Sequence, residues 1–422
     1  MHEMLQKIVD HTAERFGLNT YYLKRHHIYR EKSNLNETSY QLSMEWFPTN
    51  VDDTDEDYNP TGTAVIEIDI HTKKLKRVVF VQDISYTDSI LTTSDMEQII
   101  EWIETETGLE FGRQFKLVHD ENGELRFQAA IDNVPVYPAG SIQVQFNEKD
   151  QLVLFSIDGD FPNETQINWE PFSLTPDITE PIAKSQCKLL EIPVENEEKW
   201  MPVYGATTIF VTNSGNRLLS YDDVETDSSF VKKDIIMEWD MDTVDSKPFR
   251  PEDIDLSLEV SEQEALANKA HPDSKPLSTN DVDKSVDESR NFLQYVFPED
   301  SGQWVLTGVH RKNGSILVTL KPMQPDNRVI GRKITLIINS ESHRAINFID
   351  NSVILDMLNN FQEAEKVTVT RDEAFNKLGK HIEVTPVYVY DKEQKRYVLC
   401  GKIDSSYGVN AISGEVISLD DL

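Results

Sequence analysis

An α+β fold, in which a short helix is followed by antiparallel strands and the pair is repeated in tandem, is what this sequence predicts. Three observations carry that reading. Leu125, Phe127, Ala129 and Ile131 alternate with Arg126, Gln128 and Ala130, the period-2 pattern of a half-buried strand. Just upstream, Met96, Ile99, Ile100 and Ile103 form a stripe at helical spacing that ends at Gly108. The same order, helix then strands, recurs about five times at roughly 60–90-residue spacing, the mark of a repeat and not of a parallel βαβ sheet.

The elements follow in order. Met4, Leu5, Ile8, Val9 and Phe16 share a helical face, and Gly17 stops that helix. Strands are expected at Tyr21–Tyr29, Ser39–Phe47, Ala64–Ile70 and Leu75–Val81, with His71–Lys74 as the last turn. Ser94 and Glu97 are spaced as a capping box for the second helix. Phe115–His119 and Leu125–Ile131 meet through Asn122-Gly123, a strong hairpin signal. Pro135 and Pro138 cannot donate to a ladder, so Val134–Pro138 is a strand edge or bend. Ile142, Val144 and Phe146 then mark one strand, and Leu152–Ile157 returns beside it.

The middle is less regular. Thr179 reads as an N-cap with Pro181 in the first turn, and Ile182, Leu189 and Leu190 as apolar positions of that helix. Strands follow at Thr207–Val211 and Arg217–Tyr221 around an Asn213–Asn216 turn. From Asp222 to Asp287 acids, serines and prolines accumulate, and Lys269–Asp281 reads as a linker or exposed loop at the boundary between two halves. A long helix from Asp281 to Val296 carries Val282, Val286, Leu293 and Val296. Trp304–His310, the Asn313-Gly314 turn, Ser315–Leu320, Lys333–Ile338 and Ala345–Ile349 complete its unit. Thr370 and Glu373 form a further capping box, Phe375 and Leu378 face inward, and Gly379 stops the helix. Val387–Tyr390, Tyr397–Cys400 and Gly414–Ile417 are the final strands. Five intervals result: 1–88, 89–168, a less regular 169–260, 261–360 with the long helix, and a short 361–422. Each is small for an independent core, so neighbours are expected to pack together.

The chain has 41 Lys and Arg against 74 Asp and Glu, a net charge of −33. That balance repels nucleic acid and anionic membranes, and it fits a soluble protein or an acidic face that meets a basic partner or cations. No apolar run approaches the roughly 20 residues of a membrane span. The N-terminus is amphipathic and charged, without the apolar core of a signal peptide, so a cytoplasmic location is expected, with export the alternative if a leader was removed. Cys187 and Cys400 make neither a disulfide framework nor a zinc site and read as buried thiols.

Motifs of known chemistry are missing. Asp53, Asp55 and Asp57 match the opening of a calcium-binding loop, but Tyr58 replaces its glycine and Ala64 its bidentate glutamate. His26 and His27 are adjacent on a strand and point to opposite faces, which prevents a shared metal. The sequence contains no H-E-x-x-H, G-x-S-x-G, P-loop or G-x-G-x-x-G. No catalytic, cofactor-binding or metal-binding residue is therefore assigned, and no cofactor is expected.

Three segments carry a resemblance. Arg126-Phe-Gln128 with Asn133-Val-Pro-Val-Tyr137, then Met201-Pro-Val-Tyr-Gly205, then Ser406 to Val416, resemble the PepSY and propeptide modules that precede thermolysin-like metalloproteases. Asn133 stands where those modules carry glycine, and Asn410 where they carry aspartate. Repetition of such modules without a peptidase is similar to the bacterial YcdB/YcdC repeat family. The resemblance implies a cystatin-like helix on an antiparallel sheet, and it transfers no catalytic residue. It also implies a non-enzymatic, multi-module binding protein with a protein partner, a peptidase inhibitor or regulator by analogy with propeptides. The alternatives are a structural protein that self-associates as a homo-oligomer and an uncharacterised enzyme with an acidic cleft.

Overall fold

A computed structural model describes residues 1–51, 58–87, 91, 95–225, 229–240, 249–254, 259–324 and 326–422. Its architecture is mixed α+β and dominated by sheet. The chain divides into two compact units. The first takes Met1–Trp169, Ser257–Ser274 and Val387–Val398, and the second takes Glu170–Leu256, Lys275–Pro386 and Leu399–Leu422.

Helix α1 (Glu3–Arg15) precedes β1 (Tyr21–Lys32), β2 (Thr38–Pro48), β3 (Ala64–Asp69) and β4 (Leu75–Phe80). Helix α2 (Met96–Thr107) precedes β5 (Phe115–Glu121), β6 (Glu124–Ile131), β7 (Val134–Tyr137), β8 (Ser141–Phe146) and β9 (Leu152–Asp158). Asp95 caps α2 through the Glu97 amide, whereas the Ser94 of the expected capping box lies outside the described residues. Asn122 and Gly123 both have positive φ, 51° and 77°, as a two-residue hairpin turn requires.

The two sets of strands join. β4 pairs antiparallel with β9, giving the order β1-β2-β3-β4-β9-β8-β6-β5. Intervals 1–88 and 89–168 thus share one sheet and one core, in which Leu5, Ile8 and Val9 of α1 and Ile99 and Ile103 of α2 are buried with the inward faces of the strands. Arg15 of α1 and Glu106 of α2 form an ion pair between the helices. β7 also has a parallel partner: Val136 and Tyr137 lie parallel to Tyr388 and Val389.

In the second unit α3 (Pro176–Gln186) leads to β10 (Cys187–Val194) and β11 (Lys199–Ala206), then β12 (Ile209–Thr212) and β13 (Leu218–Ser220). The cap of helix α3 lies four residues before the expected one, because Thr175 and Pro176 take the Ncap and N1 positions and Pro181 falls inside the helix. Leu189 and Leu190, read as helical, belong to β10. That strand pairs with β11 over all of Cys187–Val194, and this ladder outweighs a local helical pattern.

After α4 (Tyr221–Glu225) come β14 (Val231–Met237), α5 (Glu262–Leu266), α6 (Thr279–Val296), β15 (Trp304–Lys312), β16 (Ser315–Pro322), β17 (Ile334–Asn339) and β18 (Ala345–Asp350). Then follow α7 (Ser352–Met357), α8 (Arg371–Leu378), β19 (Glu383–Asp391), β20 (Arg396–Asp404), β21 (Tyr407–Asn410) and β22 (Val416–Ser418). Strands β14 to β18 form a five-stranded antiparallel sheet in sequence order, under α6. A four-stranded sheet, β10-β11-β21-β22, packs with α3 and α8. The β12–β13 hairpin pairs with Cys400–Ile403 of β20. Cys187 and Cys400 are both buried.

The expected linker is ordered where it meets the first unit. Ala265 is fully buried in that unit's core, Tyr29 bridges to Glu259, and the Val260 amide donates to the Ile28 carbonyl. This segment therefore satisfies backbone groups along edge strand β1, which would otherwise be open to pairing with another chain. Within Lys269–Asp281 itself, His271, Asp273 and Asp281 are buried.

Candidate functional site: the open face of the eight-stranded sheet

Helices α1 and α2 cover one face of the first unit's sheet, and the other face carries its polar chemistry. Strand alternation decides which residues stand there. Tyr40, Leu42, Met44 and Trp46 of β2 point into the core, so Ser43 and Glu45 point away. Bulges in the β1–β2 and β5–β6 pairings keep His27 and His119 on this same open face.

The ladders place one residue from every strand in a single transverse row. His27 pairs with Ser43, Ser43 with Glu67, Glu67 with Arg77, Arg77 with Ser156, Ser156 with Gln143, Gln143 with Arg126, and Arg126 with His119. At the usual ~4.8 Å between strands the row is about 34 Å long. Each member lies where alternation puts it, but the row crosses strands far apart in sequence and cannot be read from any one of them.

Neighbouring side chains hold the row in place. The Ser43 hydroxyl donates to Glu67 Oε1 at 3.4 Å, and Arg77 lies 3.7 Å from Glu67 and 3.6 Å from Asp158. Arg126 pairs with Glu124, which also accepts from Gln143 Nε2 at 3.1 Å. Arg25 Nε donates to Glu45 at 2.7 Å, and its guanidinium stands over the Phe47 ring. Burial pushes the Glu67 carboxyl above its ordinary 4.5, and Arg77 only partly offsets this. Burial likewise raises Tyr29, with Glu259, Glu67 and Glu45 adding to it.

A serine, a histidine and glutamates side by side invite a catalytic reading, which the hydrogen bonds do not favour. A nucleophilic serine needs its hydroxyl on an imidazole base. Here Ser43 donates to a carboxylate, and His27 Nδ1 lies 3.0 Å from Glu259 Oε1. The arrangement can order a polar partner by cross-face hydrogen bonds and ion pairs.

His26 and His27 do point apart. His26 sits beside Met44 on the helix side, 3.7 Å from Glu262, while His27 meets Glu259 on the open face. Asp53, Asp55 and Asp57 lie outside the described residues. No group of three or more His, Cys, Asp or Glu that could hold a metal occurs among the described residues, and no described helix is long and apolar enough to cross a membrane.

No family model matches this sequence, and no curated protein matches it. Among solved structures, the Bacillus megaterium YpeB C-terminal domain is similar over 83% of this chain and 97% of that chain, at 8% identity and a TM-score of 0.25, a likeness too slight to carry an argument about fold or function.

Proposed function

We propose that this chain is a non-enzymatic binding protein built from repeated PepSY-like helix-and-sheet modules, and that it docks a protein partner, a peptidase in the first instance, on the open face of its eight-stranded sheet. The observation that carries the reading is the continuous row from His27 to His119, a polar strip that spans two successive helix-then-strand segments. Such a strip offers hydrogen-bond donors and acceptors from eight adjacent strands to a partner surface, and its charged groups favour specificity over raw affinity. The five intervals from 1–88 to 361–422 are the modules of this proposal.

The test is binding and inhibition of metalloproteases from the source cell by the full chain. Inhibition or 1:1 binding is expected, with Arg77→Glu plus Arg126→Glu weakening it at least tenfold. A protein that neither binds nor slows any of those enzymes rules out the inhibitor reading. A second reading, self-association, is favoured by exposed apolar residues around α7: Ile349, Val353 and Met357 are 62%, 70% and 75% exposed. A mass that stays monomeric at every concentration in sedimentation would count against it.

A further inference from the structure

The second unit contains a cleft of about 800 Å³ that the proposal above does not use. Its walls come from three places. Trp200 lies at the start of β11, Val305 and Lys321 come from the face of the five-stranded sheet turned away from α6, and Leu355 comes from α7. Residues 328–333 close it, anchored where the Val329 amide donates to the Glu191 carbonyl of β10 at 3.0 Å.

Cations outnumber carboxylates in the lining of this cleft, where Asp326 is the one acid beside four basic residues. Lys321, Arg328, Arg332 and Lys333 line it, in a protein of net charge −33. The two guanidiniums are held rigidly. Arg328 lies 4.4 Å from the Trp200 ring centroid and pairs with Glu363 at 2.6 Å and Glu191 at 3.7 Å. Arg332 stands over both Phe297 and Trp304, at 5.2 and 5.0 Å, and donates through Nη2 to Asp350 at 2.9 Å. Burial pushes Asp350 up, but Arg332 and the Ser352 hydrogen bonds outweigh it and hold the carboxyl below its ordinary 3.8, so this counter-charge stays ionised.

Three cationic donors are left over. Arg332 Nε is buried without a hydrogen-bond partner. Lys321 and Lys333 have no ion pair among the described residues, since every carboxylate paired in the cleft is taken by an arginine. A buried donor without an acceptor is unfavourable, and the remaining guanidinium and ammonium donors face the cleft. Between the charges stand the apolar side chains of Trp200, Val305, Val329, Ile330 and Leu355, with Asn351 and Asn359 among the polar ones. A cleft of ~300–1,000 Å³ with an apolar lining and a few convergent polar groups is the usual form of a small-molecule site.

We infer that this cleft binds a small organic anion, a phosphate or carboxylate of at least two negative charges on a compact apolar body. Lys321 and Lys333 would neutralise the charge, pre-set guanidiniums would orient it, and the body would lie along Val305 and Leu355. This inference does not depend on the sheet-face reading.

Calorimetry on the full chain at low salt tests it with three probes: phenyl phosphate, phthalate and inorganic phosphate. One-to-one binding of an aryl anion is expected, at least tenfold tighter than inorganic phosphate, and the stronger aryl probe tells a phosphate ligand from a carboxylate one. Lys321→Glu plus Lys333→Glu, both exposed, should weaken it at least tenfold with an unchanged melting temperature. Lys232→Glu plus Lys233→Glu, on β14, should leave it intact. Absence of saturable binding by either aryl probe, an equal loss in the β14 variant, or inorganic phosphate binding as tightly as the aryl anions would overturn the proposal.

Discussion

The two large sheets differ in what their covering helices bury. In the first unit α1 and α2 meet the sheet mainly through apolar residues, with the Arg15–Glu106 pair between the helices, and the charged row stands on the uncovered face. In the second unit the long helix α6 buries polar groups beneath itself: Asp281, Ser285 and Ser289 are buried beside Val282, Phe292 and Leu293. The face turned away from α6 carries Val305, Thr319, Thr335 and Ile349 beside Lys321, with Phe230 packed so closely on Gly308 that a Cβ would stand 1.9 Å from the ring. The lesson concerns what each polar set is for. Charges under a helix fix that helix in place, whereas charges on an uncovered face remain available to another molecule.

The strongest way to break this contrast is at Asp281. Its carboxylate accepts from Arg311 at 2.9 Å and from the Ser278 amide at 3.0 Å, and His343 Nε2 lies 2.8 Å away. Asp281→Asn would leave the Arg311 guanidinium buried and uncompensated, an expected loss of about 3–5 kcal/mol by chemical denaturation. Replacing the cluster as a set, Asp281→Leu with Arg311→Met and His343→Leu, should restore most of that stability if the charges serve packing alone. The pH dependence has a definite sign. Burial pushes the Asp281 carboxyl up, but the His343 and Ser278 hydrogen bonds and the Arg311 charge outweigh it and hold it far below its ordinary 3.8. A depressed carboxylate stabilises the fold above its unfolded value, so this contribution is intact above about pH 5 and fades as pH falls below about 4. Asp281→Asn should flatten that acid limb in a urea titration series.

Much of this was legible in the sequence, for physical reasons that can be named. The strands of β1–β6 and β15–β18 combine alternation with turns such as Asn122-Gly123, both local signals. α8 announces itself by Thr370 and Glu373, which do cap it reciprocally. The apolar positions of α6 are legible, with Val282 and Leu293 buried and Val286 and Val296 packed on the core, but the burial of Asp281, Ser285 and Ser289 is not. Their burial depends on Arg311 of β15 and His343 of the β17–β18 turn, both distant in sequence, and on hydroxyls that bond back to the helix carbonyls. The row on the open sheet face was hidden for a related reason. Its residues are ordinary outward positions of eight strands, and only the β4–β9 pairing makes them contiguous.

An intermediate effect is expected at Ala265, in the segment that covers the edge of β1. Composition marks this segment as exposed, yet the Ala265 side chain is enclosed by the first unit's core and its carbonyl lies 3.0 Å from His71 Nε2. Ala265→Asp forces a carboxylate into that core and should cost about 2–4 kcal/mol. Hydrogen exchange at the Val260 amide, which is bonded to Ile28, reports whether the segment lifts from the edge. Unchanged stability and unchanged protection would mean that the edge is not sealed in this way.

The smallest effect on stability separates the two faces most cleanly. Glu67 lies in the centre of the open row, and burial raises its carboxyl above the ordinary value. A raised carboxylate binds its proton more tightly in the folded state, so stability falls as pH rises through the interval between the unfolded and folded values and is level above it. The ionised group is therefore a mild burden on the fold at neutral pH, the reverse of Asp281. Glu67→Gln keeps the shape and the acceptor for Ser43 while removing the charge, and its stability should stay within about 0.5 kcal/mol of the parent, on the more stable side. If the open face is where a partner docks, the same substitution should weaken that contact severalfold. A loss of stability comparable to that of Asp281→Asn would place Glu67 among the groups that hold the fold together, and the distinction between the two faces would fail.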